Sequence, residues 1–277
     1  PDIESQIPAL AAKFLNIDTY SIPHGEGTFR KKCFSAQYVI YNYYISYLVH
    51  NNKSLIYCKN IMAENEHEIN EDIKYKNILT TDKLMVLILT NPTHSESYPG
   101  FYFQTIDFMR QKNAFNFILK INKLFNQRIE LKIKTHPNPR TCDIGFIEIV
   151  CEDLKKHILP LDIPLSFALE NADLVVGLNY AGVAIIHTIN KLKPLINFIT
   201  DENIGKSDFD CGAEYYFQAG YSVYNETELC EAIEKFLNDE NFRQMLKQKF
   251  KGFKNEYLDD SNYPTISQVI MKHSFNN

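Results

Sequence analysis

Six consecutive apolar residues, Leu84 to Leu89, constrain this chain more than any other stretch. A run without alternation leaves no face for water, so it is expected as a central parallel strand with helices over both of its sides. The next fifty residues fit such a sheet. Ile106, Met109, Phe117, Ile118, Ile121 and Leu124 recur at helical spacing between Tyr102 and Phe125, and Ile129, Leu131 and Ile133 then alternate as a half-buried strand with Lys132 and Lys134 on its other face. Strand, loop, helix and strand form a right-handed crossover unit.

The rest of the chain repeats the theme. Asp162 is the expected N-cap of a helix with Pro164 in its first turn, running to about Asn171. Asp173 to Gly177 reads as a buried strand, Asn179 to Gly182 as a turn, Val183 to Ile189 as a helix and Leu195 to Ile199 as a strand. Tyr221 to Tyr224 is the last strand, followed by a helix capped by Asn225 or Thr227 and a second helix from Glu240. Upstream, a helix over Ile3 to Leu15, strands near Thr19 to Ile22, Tyr38 to Tyr41 and Ser54 to Cys58, and an aromatic helix over Tyr43 to Val49 make a smaller set. The acidic stretch 63–82 reads as a solvated linker, which predicts a partial N-terminal Rossmann-like domain over 1–75 and a second over 83–277.

Composition narrows the function classes. With 277 residues and 45% hydrophobic content the chain buries a substantial core, and a net charge of -5 argues against a general nucleic-acid binder. Six cysteines without CxxC spacing read as reduced thiols, and no apolar run approaches the roughly 20 residues that span a bilayer. No cofactor is expected. Asp208-Phe209-Asp210 has the two-aspartate spacing of metal-dependent sugar transferases, but it falls in a polar loop and no metal is predicted from it.

Two constellations carry chemistry. Thr135, His136 and Pro137 end the Ile129 strand, and ligands of open α/β sheets bind beyond the carboxyl ends of strands. His24-Gly25-Glu26-Gly27-Thr28-Phe29-Arg30 places one carboxylate between two glycines beside an imidazole. The Thr90 to Ser97 loop, with Thr90 and Asn91 first, is rich in hydroxyls, and the Asn179-Tyr180-Ala181-Gly182 turn opens a helix whose N-terminus favours an anion. Each has a bland alternative: a surface histidine, a plain turn, or an ordinary strand-to-helix connection. Arg243, Lys247, Lys249, Lys251 and Lys254 make the last helix basic, either as a solvated helix with one buried face or as a contact with an anionic membrane.

In this order the motifs resemble bacterial glycosyltransferases of the two-Rossmann-domain GT-B type, whose domains face a cleft. Among them they are similar to the metal-independent enzymes that use CMP-activated acidic sugars. Sialyltransferases of that kind carry an acidic-acidic-glycine motif, which Gly25-Glu26-Gly27 resembles with Gly25 at the first acidic position, and a His-Pro motif, matched by His136-Pro137. Transferases of Kdo and of glycerol phosphate use His-Gly, matched by His24-Gly25, and also keep His-Pro. Paired Ser or Thr residues common in these families after the late strand are replaced here by Asn179-Tyr180.

The resemblance implies transfer of sialic acid or Kdo from a CMP-sugar to a bacterial surface glycan of capsule or lipo-oligosaccharide. Glu26, or His24, would be the general base and His136 the group on the departing phosphate. Thr90, Asn91, Thr135, Pro137, Pro164, Asn179, Tyr180, Ala181 and Gly182 would contact the donor, and Arg30 an acidic sugar's carboxylate. The location implied is cytoplasmic, at the inner face of the membrane, with peripheral contact through the basic helix. A nucleotide-sugar epimerase of the same architecture and a noncatalytic nucleotide-binding domain of a polysaccharide-assembly protein are the rivals. Only 23 residues precede His24, so the N-terminal domain is expected to be incomplete or reduced.

Overall fold

The computed structural model describes residues 11, 14–15, 20–21, 38–42, 55–58, 79, 82–90, 108–135, 147, 151–179, 183–200, 220–255, 264–265, 267–268 and 271–272. The chain divides into two compact units, residues 1–67 with 253–277, and residues 68–252. The first contains a parallel sheet of β1 (Tyr20–Ser21), β2 (Tyr38–Asn42) and β3 (Leu55–Cys58), in that order, with Tyr20 opposite Tyr38 and Val39 opposite Leu55. The helices expected over Ile3 to Leu15 and Tyr43 to Val49 lie wholly or mostly outside the described residues.

The second unit holds five parallel strands: β4 (Leu84–Leu89), β5 (Ile129–Lys134), β6 (Leu174–Leu178), β7 (Leu195–Phe198) and β8 (Tyr221–Val223). They are ordered β5-β4-β6-β7-β8. The continuous apolar run is a central strand, as expected, and Met85 to Leu89 are all buried because both faces of β4 are covered. At its amino end the backbone pairs with a side chain. Met85 N–H donates to Asp173 Oδ2 at 2.7 Å and Asp173 N–H donates to Met85 O at 2.9 Å, so Asp173 precedes β6 and serves as an extra rung.

Helix α1 (Phe108–Phe125) crosses from β4 to β5. Ala114, Phe117, Ile118, Ile121 and Phe125 form its buried stripe, while Leu124 is 66% exposed; Phe125, four residues after Ile121, takes the place expected of Leu124. Phe117 meets Phe198 of β7 with ring centroids 5.8 Å apart. A 3₁₀ helix, Glu152–His157, precedes α2 (Leu165–Asn171), and Ile158 pairs in parallel with Ile133 as a single added bridge beside β5.

The start of α2 corrects the sequence expectation. Pro164, not Asp162, is the N-cap, and it makes no side-chain capping bond. The first helical bond runs from Ala168 N–H to Pro164 O, after a turn in which Ile163 N–H donates to Pro160 O, so Asp162 lies too early in the chain to cap. At the other end Lys193 donates to the carbonyls of Glu170 and Ala172, closing α2 with a cation at its negative pole.

Helix α3 (Val183–Asn190) leads to β7, and α4 (Glu226–Asn238) and α5 (Glu240–Phe253) close the described part of this unit. Asn225 is the cap of α4, its Oδ1 accepting from Glu228 N–H at 2.9 Å while the Glu228 carboxylate accepts from Tyr224 N–H. α5 meets β8 through Phe242, whose ring stands edge-on to Tyr221, and Lys249 donates to Gly220 O. A Cβ at 220 would stand 2.4 Å from the Asn197 side-chain nitrogen, so any larger residue there displaces the Asn197 amide. No helix among the described residues is long and apolar enough to cross a membrane.

Candidate functional site

The strand order locates the site. From β4 the chain steps to β5 on one side and then to β6, β7 and β8 on the other, so the direction of winding reverses between β4 and β6. Loops leaving neighbouring strands part at such a switch point and leave a crevice at the carboxyl ends, where ligands of open α/β sheets bind. Thr90 follows β4, Thr135 follows β5, Asn179 follows β6 and Thr200 stands two residues past β7.

Thr90 and Thr135 come one residue after the last registered pair, Leu89 with Lys134, and Thr90 N–H donates to Lys134 O at 3.3 Å. Their exposures are 7% and 2%. Among the described residues neither hydroxyl has a hydrogen-bond partner. Leaving a buried hydroxyl unsatisfied costs about 1–3 kcal/mol, so two on adjacent strand ends weaken the fold unless something else bonds to them.

Asn179 does something different. Its φ of 54° lies in the left-handed region, which asparagine tolerates better than most residues. Its N–H donates to Phe198 O at 2.7 Å, and its Oδ1 accepts from Thr200 N–H at 2.8 Å and from Thr200 Oγ1 at 2.9 Å. The side-chain oxygen thus fastens the end of β6 to the end of β7. Pro164, half-buried, is the remaining described member of the sequence-derived set. Glu26, His24, Arg30, Asn91, His136, Pro137, Tyr180, Ala181 and Gly182 lie outside the described residues, as does Asp208-Phe209-Asp210. Among the described residues no three His, Cys, Asp or Glu side chains gather as a metal-binding group.

Sequence reasoning passes over His157, a buried imidazole. Its Nδ1–H donates to Leu131 O at 3.1 Å, and Nε2 stands 3.1 Å from Asn122 Nδ2, whose N–H it accepts when the ring is neutral. It lies beside a shallow pocket of about 340 Å³ at the amino ends of β4 and β5, lined also by Lys83, Asn126, Glu130 and Lys156. Both ring nitrogens are engaged and the pocket stands at the wrong end of the strands for the switch-point crevice, so the ring is a structural tie between α1, β5 and the 3₁₀ helix. No local motif marks it; only the fold brings Asn122 and Leu131 to it.

Burial is the largest influence on His157 and lowers its pKa, opposed by the Leu131 carbonyl and the Glu130 carboxylate. A histidine whose folded pKa lies below its unfolded value stabilises the fold above the unfolded value and loses that contribution as pH falls. The wild-type melting temperature is therefore expected to fall more steeply between about pH 7 and 5 than that of His157→Gln. Parallel slopes in a thermal-melt series would show that the ring does not titrate with unfolding.

Comparison with known proteins places this geometry in a fold. No family model matches the chain, and no curated protein matches it in sequence. Solved structures do. UDP-GlcNAc 2-epimerase from Methanocaldococcus jannaschii is similar at a TM-score of 0.51 and 17% identity, over 85% of this chain and 67% of its own. The wall teichoic acid polymerase TagF, in a structure with CDPG, matches at 0.51 and 11%, over 81% of this chain and 53% of its own. MurG from Acinetobacter baumannii matches at 0.51 and 12%, over 95% and 69%. The chain thus spans between about half and two thirds of the length of these proteins, and its fold is GT-B-like parallel α/β.

Proposed function

We propose that this chain is a glycosyltransferase that moves a sugar from a nucleotide donor, with a CMP-activated acidic sugar, sialic acid or Kdo, as the preferred donor and a bacterial surface glycan as acceptor. The observation that carries it is the pair of buried hydroxyls of Thr90 and Thr135, without a partner among the described residues, at the carboxyl ends of β4 and β5 beside the switch point of the sheet. Phosphate and sugar oxygens are the natural partners of such hydroxyls. The GT-B-like fold shared with a UDP-GlcNAc epimerase, with TagF and with MurG supports a nucleotide sugar as the ligand class.

In this reading residues 83–277 bind the donor and 1–75 serve the acceptor. Glu26, or His24 in its place, takes the proton of the acceptor hydroxyl as the bond to the sugar forms. The sugar transfers as an oxocarbenium-like species, and His136 binds or protonates the departing phosphate. The backbone N–H groups of 180–182 and the start of α3 offset its charge. Asn91, Pro137 and Pro164 complete the donor contacts, and Arg30 pairs with the sugar's carboxylate. Work at the cytoplasmic face of a membrane, through the basic surface of α5, belongs to the same proposal.

Calorimetric titration with CMP, CDP, UDP and GDP, without added metal, tests it together with a Thr90→Val/Thr135→Val variant. Selective CMP binding that weakens about tenfold or more in the variant is the expected result, with no loss of thermal stability because the two hydroxyls removed have no partner among the described residues. Preference for UDP or GDP would overturn the donor, and wild-type affinity in the variant would remove the threonines from the site. The epimerase reading, favoured by the M. jannaschii likeness, predicts sugar isomerisation without an acceptor.

A further inference from the structure

We propose that the Lys134 side chain is a positioning group that ties the Leu161–Pro164 approach to α2 to the end of β5, beside Thr90 and Thr135. The proposal rests on the nucleotide-sugar site for what those segments bind, but the tie itself is geometric. The Lys134 Nζ donates to Leu161 O at 3.1 Å, while its backbone carbonyl accepts from Thr90 N–H at 3.3 Å whatever side chain stands at 134. Thr135 is the next residue, and three residues after Leu161 comes Pro164, the N-cap of α2.

Strand alternation places Lys134 on the same face as Lys132, and a solvated ammonium is the expectation for both. Lys132 meets it in part, half-buried and paired with Glu130 at 3.1 Å. Lys134 does not, being only 5% exposed. The cause lies in the chain beside β5: Ile158 bridges Ile133, Leu159 N–H donates to Ile133 O at 2.8 Å, and two residues on the Leu161 carbonyl meets the Lys134 ammonium. Burial lowers the amine's pKa, and the nearby Asp162 carboxylate works against that shift.

A buried ammonium is a poor way to gain stability, because a linear apolar side chain of similar length fills the same space without the desolvation cost. What the ammonium adds is direction. Its bond fixes where the Leu161 carbonyl, and with it the turn before α2, stands relative to Thr135 and the end of β5. A methionine stem would leave that turn free to drift, and a small misplacement of groups around a reacting centre lowers rate and affinity by far more than the single hydrogen bond is worth.

The test uses the full chain and two variants, Lys134→Met and Lys134→Arg. Hydrogen exchange is expected to quicken across residues 158–168 in Lys134→Met while β4 and β6 keep their wild-type protection and the melting temperature is not lowered. Affinity for the nucleotide that wild type prefers among CMP, CDP, UDP and GDP is expected to fall about tenfold, with part of it recovered in Lys134→Arg. Wild-type exchange across 158–168 would overturn the tie. Wild-type nucleotide affinity in Lys134→Met with quickened exchange would overturn the positioning role. A wild-type protein that binds none of the four would sink the proposed function instead, leaving the exchange result alone to decide whether Lys134 holds these segments.

Discussion

Replacing Glu26 by glutamine is expected to lower turnover by about 10²- to 10⁴-fold, the usual loss when a general base is removed, while nucleotide affinity stays at the wild-type value. Glutamine keeps the shape and the hydrogen-bonding oxygen of glutamate but cannot accept the acceptor's proton at neutral pH. Turnover and nucleotide binding should therefore separate, since the donor is assigned to residues on the other unit. His136→Ala should instead reduce nucleotide affinity, because its assigned partner is the departing phosphate. A Glu26→Gln protein with undiminished turnover would take Glu26 out of the mechanism and pass the base to His24. Measuring both quantities on the same preparation decides the matter, because a misfolded variant loses binding as well as rate.

Phe198→Ala is expected to be the most destabilising of these single substitutions, by about 3–5 kcal/mol. Phe198 is 2% exposed at the end of β7, packs on Phe117 of α1 and offers its carbonyl to Asn179 N–H. Removing the ring opens a cavity where α1 meets β7 and takes away the aromatic face against which Phe117 packs. Leu124→Ala is the control, on the same helix as Phe117 but with its side chain 66% exposed, and should stay within about 0.5 kcal/mol of wild type. Urea unfolding of both gives the comparison, and a Phe198→Ala loss below about 1 kcal/mol would mean that the rings contribute little beyond ordinary surface packing.

The positions of the strands are legible in the sequence because their periodicity is unusually clean. Leu84 to Leu89 is apolar without a break and β5 alternates, so both agree with the structure within a residue, as do β6, β7 and β8. The short 3₁₀ helix Glu152–His157 is not legible, since six residues give too little periodicity to distinguish it from a loop. The cap of α2 is ambiguous for a related reason. Asp162 and Pro164 both carry start signals, and only the backbone turn at 160–163 determines which carbonyl opens the helix.

From sequence alone came the α/β class, the parallel sheet and the choice of Thr90, Thr135, Asn179 and Pro164 as residues at strand and helix ends, because these depend on hydrophobic patterning and backbone preference within a dozen residues. Tertiary structure alone decided the strand order, with its switch point, and the pairing of β4 with β5 that sets the buried hydroxyls of Thr90 and Thr135 side by side, without a partner among the described residues. It also decided that Asn179 commits its side-chain oxygen to Thr200, and that Lys134 and His157 are buried rather than solvated. Each of those outcomes requires a partner more than 20 residues away along the chain, and spacing within a segment carries no information about which distant segment packs against it.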